Sequence, residues 1–467
     1  MSAADITIAN KSITECVAQF VHATRFDDIP ARVVQLGKKA ILDCLGLALA
    51  GAQAEGSAIL RRHIGEMGCT NGATTIFGTN LRAPSRFAAL ANGTAMHSDD
   101  YDDSYHPSRI HPSAVVVAAL FADAETGDRS GRDILTAYHV GVEVSCRISQ
   151  AIDAQHYQRG YHATGTCGVF GAAASVCNLQ RLPVETIRTA FGIAGSEAAG
   201  LRENFGTMVK PLHTGRAAEN GLVAASLAKM GYTAAPTVLE GARGFFMAAG
   251  GGYDAQMIQD KLGNPWSFAT PGISIKPFPS GALTHPAMSK LQEMVVEHDI
   301  RPEQVGRIGI RTNRLLPENL TYHRPTTGLQ GKFSMEFCLA SILLLRRAGL
   351  AEFTDEVVNR PDIQEAISRI DYTAYSDKEA AENDYKPLTS FLDVVLKDGR
   401  RISARADVAK GHPSIPMTED DVVNKFRECA AFASWPEDRS EKIIKAILEL
   451  EKLTRMADLT ALVRRAS

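Results

Sequence analysis

The chain lacks the features that mark several large classes of protein. Its 467 residues carry a net charge of −3, and its eight cysteines are scattered without a Cys-x-x-Cys pair. A nearly balanced charge provides no excess of positive charge that would bind nucleic acid or an anionic lipid surface, so neither partner is expected. The cysteine spacing argues against a zinc site and a disulfide framework, and it predicts reduced thiols in a cytoplasmic protein.

Long hydrophobic runs and aromatic residues are also scarce. Apolar runs such as Ala114 to Ala122 fall far short of the roughly twenty residues that a membrane-spanning helix needs. The N-terminus, Met1 to Ile6, has neither the basic nor the apolar segment of a secretory signal peptide, so none is expected. What is present is an ordinary globular composition, 45 % hydrophobic and 22 % charged, in a chain long enough for two domains.

Most of the first half follows the period of an α-helix. A helix start at Asp28-Ile29-Pro30 is followed by apolar residues at helical spacing as far as Gly51. The same pattern recurs in residues 134–148, 168–176, 183–193 and 217–230. Because 168–176 and 217–230 are rich in Gly and Ala, we expect them to pack on several sides inside a helical bundle.

The pattern changes near residue 270. Apolar and polar residues alternate over 305–312, which predicts a half-buried strand. Residues 391–408 predict a hairpin with an Asp-Gly turn. Thr418, with Asp421 three residues later, then predicts the start of a new helix. The predicted fold is mainly α: a large all-helical domain (residues 1–271 and 409–467) with an inserted α+β lid domain (272–408).

The segment most informative about function runs from His97 to Ser113. It contains four aspartates, three histidines and two tyrosines, and an apolar helix-like run lies on each side of it. Titratable groups crowded between buried segments shift one another's pKa values, which makes this segment a candidate site for proton transfer. Further clusters of basic and hydroxyl side chains occupy residues 161–165, 210–216 and 275–285, where cations before helix starts would bind carboxylates.

Together these segments resemble the MmgE/PrpD family over most of the chain. The resemblance rests on these stretches: Asn92-Gly93, His97 to Ser104 with His111-Pro-Ser, Lys210-Pro-Leu-His213, Gly241-x-Arg-Gly-Phe-Phe, Lys276-Pro-Phe-Pro-Ser280, Lys332-Phe-Ser and Met417 to Phe426. It implies a helical-bundle domain with an α+β lid, a homodimer, and catalysis with neither a metal nor an organic cofactor.

The resemblance also implies a set of site residues. Its catalytic positions fall on Asp100, Ser104, His111, His162, Lys210, Lys276 and Tyr322. Arg109, His213 and Arg324 are expected to bind substrate. Ser104 stands where the family usually has Thr, and His97 is interpreted as a structural histidine. A metal set of His97, Asp100, Asp103 and His111 offers suitable ligand atoms, but it ranks below the metal-free interpretation.

The implied substrate is a small molecule with two to four carboxylates, and the implied first step is removal of a proton next to a carboxylate. Such a proton is barely acidic, so cations must stabilise the enolate and a base must have a pKa near the working pH. The segment around Lys276 differs from that of 2-methylcitrate dehydratases, and Arg109 adds a cation, so epimerisation of an iminodisuccinate-like substrate is favoured. The alternatives are dehydration of the 2-methylcitrate type, decarboxylation of the cis-aconitate type, and a non-catalytic polycarboxylate-binding protein.

Overall fold

The computed structural model describes residues 11–465 except Leu315 and Glu318. The expectation about a signal peptide at Met1 to Ile6 lies outside these residues. The chain forms two compact units. The helical unit contains residues 11–98, 102–274 and 418–465, and the α+β unit contains Asp99–Tyr101 and Ile275–Met417.

The first part of the helical unit contains eleven α-helices and one short hairpin among the described residues. They are α1 (Ile13–Ala23), α2 (Ala31–Gly51), α3 (Glu55–Glu66), β1 (Thr74–Thr75), β2 (Arg82–Ala83), α4 (Ser85–His97), α5 (Pro112–Ala124), α6 (Gly131–Ala151), α7 (Gln155–Gln158), α8 (Ala163–Thr166), α9 (Gly168–Leu179), α10 (Val184–Ser196) and α11 (Val209–Lys229). Of these, α9 is buried at every residue and α5 at every residue except Asp123, and few residues in either helix are polar.

Glycines let the central helices approach closely. A Cβ atom on Gly215 of α11 would lie 2.3 Å from the backbone oxygen of Leu90 in α4, and one on Gly93 would lie 2.9 Å from Gly215 Cα. A similar pair, Gly141 and Gly171, brings α6 against α9. These contacts admit no side chain, so the helix spacing depends on glycine.

In the described part of the α+β unit there are six α-helices and four strands. They are α12 (His285–Glu297), β3 (Val305–Asn313), α13 (Gly328–Gly331), α14 (Met335–Leu345), α15 (Asp355–Val358), α16 (Pro361–Ile367), β4 (Ile370–Tyr375), α17 (Asp377–Glu382), β5 (Ser390–Leu396) and β6 (Arg401–Ala406). The sheet order is β4-β3-β5-β6, with β4 parallel to β3 and the other pairs antiparallel. Inward-facing residues of β3 and β5 form one core with α12 and α14.

The chain then returns to the helical unit through α18 (Glu419–Phe432), α19 (Glu437–Leu448) and α20 (Met456–Thr460). At the start of α18 the predicted capping box is present, because Thr418 Oγ1 accepts from the Asp421 N–H and the Asp421 carboxylate accepts from the Thr418 N–H. Helices dominate and strands are few, so the prediction of a mainly α fold with an α+β part is confirmed.

Two elements differ from the sequence-based expectations. The helix expected from residue 217 begins at Val209, because Pro211 lies in the first turn, where a missing N–H costs nothing. Strand β4, which begins at Ile370 three residues after the end of α16 at Ile367, is not among the strands expected from the sequence. Within the described part of the chain, no helix is both long and apolar enough to cross a bilayer.

Candidate active site

Three buried side chains of the helical unit form a hydrogen-bonded chain. His97 Nδ1 lies 2.8 and 2.9 Å from the two carboxylate oxygens of Asp102, and His97 Nε2 lies 3.0 Å from Lys210 Nζ. Because a carboxylate only accepts, His97 donates its Nδ1–H to Asp102. When the His97 ring is neutral, its Nε2 then accepts a hydrogen bond from Lys210.

The positions of α4 and α11 explain how this chain forms. His97 is the last residue of α4, and Lys210 is in the first turn of α11. The glycine contact at Gly93 and Gly215 joins the two helices side by side and antiparallel. The C-terminal end of α4 therefore meets the N-terminal end of α11, which brings an imidazole and an ammonium group together.

His111 is held at the start of α5. Its Nδ1–H donates to the backbone oxygen of Asp103 at 2.8 Å, and its backbone N–H donates to Thr164 Oγ1 at 3.1 Å. This places the lone pair of the neutral ring on Nε2. The His111 ring centre lies 4.8 Å from that of His97, so the two imidazoles line one small region.

His162 and His213 form a second histidine pair, with their Nδ1 atoms 3.1 Å apart. Burial, followed by the positive charge of Lys210, lowers the pKa of His162 well below its ordinary value. Burial also lowers the pKa of His213 to about 4. Both rings are therefore neutral near pH 7, and the ring of His162 stacks on His97 with centres 5.8 Å apart.

The three rings of His97, His111 and His162 are close enough to hold a metal ion, with one nitrogen of each within 4.8 Å of the others. Two features disfavour a metal ion there. Lys210 Nζ lies 3.0 Å from His97 Nε2, and an ammonium group repels a metal cation. Asp103, which the metal interpretation used, faces Ser113 rather than the rings.

Asp103 belongs to a buried hydrogen-bond network with Ser113 and Tyr138. The Asp103 carboxyl accepts from the N–H and the hydroxyl of Ser113, and Ser113 Oγ lies 2.6 Å from the Tyr138 hydroxyl oxygen. Burial raises the pKa of Asp103 to about 8, with a further contribution from the charge of Asp102. Asp103 therefore serves to hold the loop before α5.

The α+β unit contains a buried ion pair. Lys276 Nζ lies 2.7 Å from Asp100 Oδ1 and 2.8 Å from Asp100 O, and both residues are buried. Asp100 adopts a left-handed backbone conformation with φ of 49°. Lys332 donates to the backbone oxygen of Asp99, and the Tyr101 hydroxyl donates to that of Pro277. Residues 99–101 are thus fixed in this unit by two buried lysines.

The remaining expected site residues lie in different surroundings. In the α+β unit, Tyr322 is half-buried and Arg324 is exposed, both on the segment between β3 and α13. In the helical unit, Arg109 is exposed and its guanidinium lies 4.6 Å from the centre of the Tyr157 ring. Ser104 is buried, and among the described residues its hydroxyl has no hydrogen-bond partner.

Within the helical unit, the structure brings together His111, His162, Lys210 and His213, and within the α+β unit it brings together Asp100 and Lys276. Sequence reasoning missed the central positions of His97 and Asp102 in this cluster. The available signal was a histidine at the end of an apolar helix with an aspartate five residues later, a pattern that also suits a purely structural pair.

The described residues thus form a two-unit protein, with a helical unit that contains a buried histidine–lysine cluster and an α+β unit that contains a four-stranded sheet. The chain belongs to the MmgE/PrpD family, since the model of the N-terminal domain matches residues 15–258 and that of the C-terminal domain matches residues 278–451. The family indicated by the sequence motifs is thereby confirmed.

Three relatives are cis-aconitate decarboxylases. The human protein (Homo sapiens) is 31 % identical over 468 residues, covering 97 % of this chain and 95 % of its own length. The mouse protein (Mus musculus) is 28 % identical, covering 97 % and 94 %, and that of Aspergillus terreus is 25 % identical, covering 97 % and 96 %. These names match the decarboxylase alternative, and the favoured epimerase interpretation gains no support from them.

Proposed function

We propose that this protein is a lyase that decarboxylates cis-aconitate or a closely similar tricarboxylate. The observation that carries the proposal is the buried chain from Asp102 through His97 to Lys210, beside two neutral histidines. The 31 % identity to a cis-aconitate decarboxylase over nearly the whole chain supports the choice of reaction.

The chemistry of the substrate shows what the site must supply. One carboxylate of cis-aconitate is on a CH2 group next to the double bond. When its carbon–carbon bond breaks, carbon dioxide leaves and the electron pair moves into the double-bond system, toward the carbon beside a second carboxylate. A proton must then be added there, so substrate and one proton give carbon dioxide and a five-carbon unsaturated dicarboxylate.

Lys210 is the residue we assign as proton donor. Its ammonium group is buried, so its charge stabilises a developing carbanion more strongly than it would in water. When Lys210 gives up a proton, His97 and Asp102 remain hydrogen-bonded behind it and hold the amine in place. His111, whose side chain is 12 % exposed, is a member of the cluster to which a proton can return from solvent.

The test is incubation of the purified protein with cis-aconitate in deuterated water, followed by NMR and by measurement of released carbon dioxide. We expect one deuteron per product molecule, at the carbon that gains the proton. Iminodisuccinate and 2-methylcitrate are assayed in parallel. Epimerisation of iminodisuccinate or loss of water from 2-methylcitrate, without carbon dioxide release from cis-aconitate, would contradict the proposal.

A variant pair ties the reaction to this site. Lys210→Met should lower kcat by about a thousandfold, since a positioned acid or base contributes about 10²–10⁴-fold. Lys229→Met is the matched control, because Lys229 is at the exposed end of the same helix. Equal activity in the two variants would show that Lys210 is not the proton donor.

A further inference from the structure

Of the three buried serine hydroxyls in the helical unit that have no hydrogen-bond partner among the described residues, two belong to neighbouring backbone segments. These two hydroxyls are those of Ser104 and Ser274, and each of these residues is 5 % exposed. Nearly all buried polar groups in proteins are hydrogen-bonded, so an unpaired pair is unusual. Such a pair is explained when a ligand supplies the missing partner.

The backbone holds these two serines side by side. The Ser104 N–H donates to Ser274 O at 2.9 Å, and the Ser274 N–H donates to Ser104 O at 2.9 Å, in an antiparallel bridge. Side chains of directly opposed residues leave the same face of such a bridge, with Cβ atoms about 4.5–5.5 Å apart. The two hydroxyl groups are therefore neighbours.

The same bridge leads directly to the histidine cluster. The peptide group between Asp103 and Ser104 uses its C=O to accept from His111 Nδ1 and its N–H to donate to Ser274 O. His111 and Ser274 thus bind opposite sides of one peptide group. The hydroxyl pair is fixed relative to the imidazoles by the backbone itself.

We propose that Ser274 is a substrate-binding residue which, together with Ser104, donates a hydrogen bond to one carboxylate of the tricarboxylate. A carboxylate has two oxygens that accept in parallel, which suits two adjacent hydroxyl donors. Serine donors bind it without adding a further charge to the substrate-binding site. This inference rests on the proposed function for the identity of the substrate.

The test measures binding of tricarballylate, the saturated propane-1,2,3-tricarboxylate, by calorimetry. Ser274→Ala should weaken binding by about tenfold or more, the usual effect of losing a hydrogen bond to a charged group. Ser274→Thr retains the hydroxyl and should keep most of the affinity. With cis-aconitate, the alanine variant should show a raised KM with a smaller change in kcat.

Ser175→Ala is the control, because Ser175 is a buried serine whose hydroxyl donates to Ala172 O within α9. Unchanged tricarballylate affinity in Ser274→Ala would overturn the inference, as would a threonine variant as weak as the alanine variant or a wild-type protein that does not bind tricarballylate. If Ser274→Ala loses affinity but the wild type releases no carbon dioxide from cis-aconitate, the inference holds and the decarboxylase proposal fails.

Discussion

Substitution of Gly215 by alanine should disconnect Lys210 from His97 without touching either residue. The new Cβ atom would lie 2.3 Å from the backbone oxygen of Leu90, where ordinary contact begins near 3.4 Å. The shortfall is about 1.1 Å, and a backbone oxygen cannot rotate away. We therefore expect α11 to move from α4 by about that distance, which stretches the 3.0 Å Lys210–His97 hydrogen bond beyond its range.

Two effects of different size should follow. Overpacking of this kind destabilises a protein by about 1–3 kcal/mol, which urea denaturation can measure. A displacement of about 1 Å in a catalytic group costs about 10²-fold in rate, so kcat for carbon dioxide release from cis-aconitate should fall by about that factor.

Gly141→Ala separates these two effects. Its Cβ atom would lie 2.7 Å from Gly171 O, between α6 and α9, and neither helix carries a residue of the cluster. We expect a comparable loss of stability with kcat largely unchanged. The reasoning is refuted if Gly215→Ala retains full kcat, or if both variants lower kcat equally.

Three further predictions address other parts of the molecule. Asp102→Asn should lower kcat by about a hundredfold at similar KM. The reason is that an amide can donate to His97 Nδ1 and so favour the tautomer whose proton is on Nε2. An effect on KM alone would contradict this. His139 is buried, and burial lowers its pKa to about 3, so the unfolded state binds a proton first and stability should fall as pH drops from 6.5 toward 3. Between pH 6.5 and 5, protonation of His139 in the unfolded state should lower the free energy of unfolding by about 2 kcal/mol. The His139→Leu variant should therefore lose less free energy of unfolding than the wild type over this pH range, as measured by urea denaturation. Equal losses in the two proteins would exclude His139 as the cause. Lys276→Met should destabilise the protein by about 3 kcal/mol, because it leaves the buried Asp100 carboxylate without its ammonium partner. Adding Asp100→Asn to this variant should recover most of the lost stability. No recovery in the double variant would mean that the broken ion pair is not the cause of the destabilisation.

The elements were predictable where their signals are local. Apolar spacing placed the helix ending at Gly51, and alternation with an Asp-Gly turn placed the hairpin formed by β5 and β6. The start of α11 was missed because Pro211 reads as a helix boundary unless its place in the first turn is known. Strand β4 was missed because its partner β3 is far away in sequence and parallel to it.

The candidate site was predictable only as a set of segments. The density of acids and histidines between apolar helices marked residues 97–113, and the family resemblance added Lys210 and Lys276. The sequence could not show that residues 99–101 join the α+β unit while their neighbours on both sides join the helical unit. That division depends on two lysines far away in the chain, Lys276 and Lys332.

The amino-acid sequence by itself determined the family, the mainly α class and the residue types available for proton transfer, because periodicity, capping and motifs are properties of neighbouring residues. Tertiary structure alone decided which nitrogen of His97 faces Asp102 and which faces Lys210, and that the hydroxyls of Ser104 and Ser274 stand together without a partner among the described residues. These features arise where helices or backbone segments distant in sequence meet, and such contacts depend on packing over the whole unit.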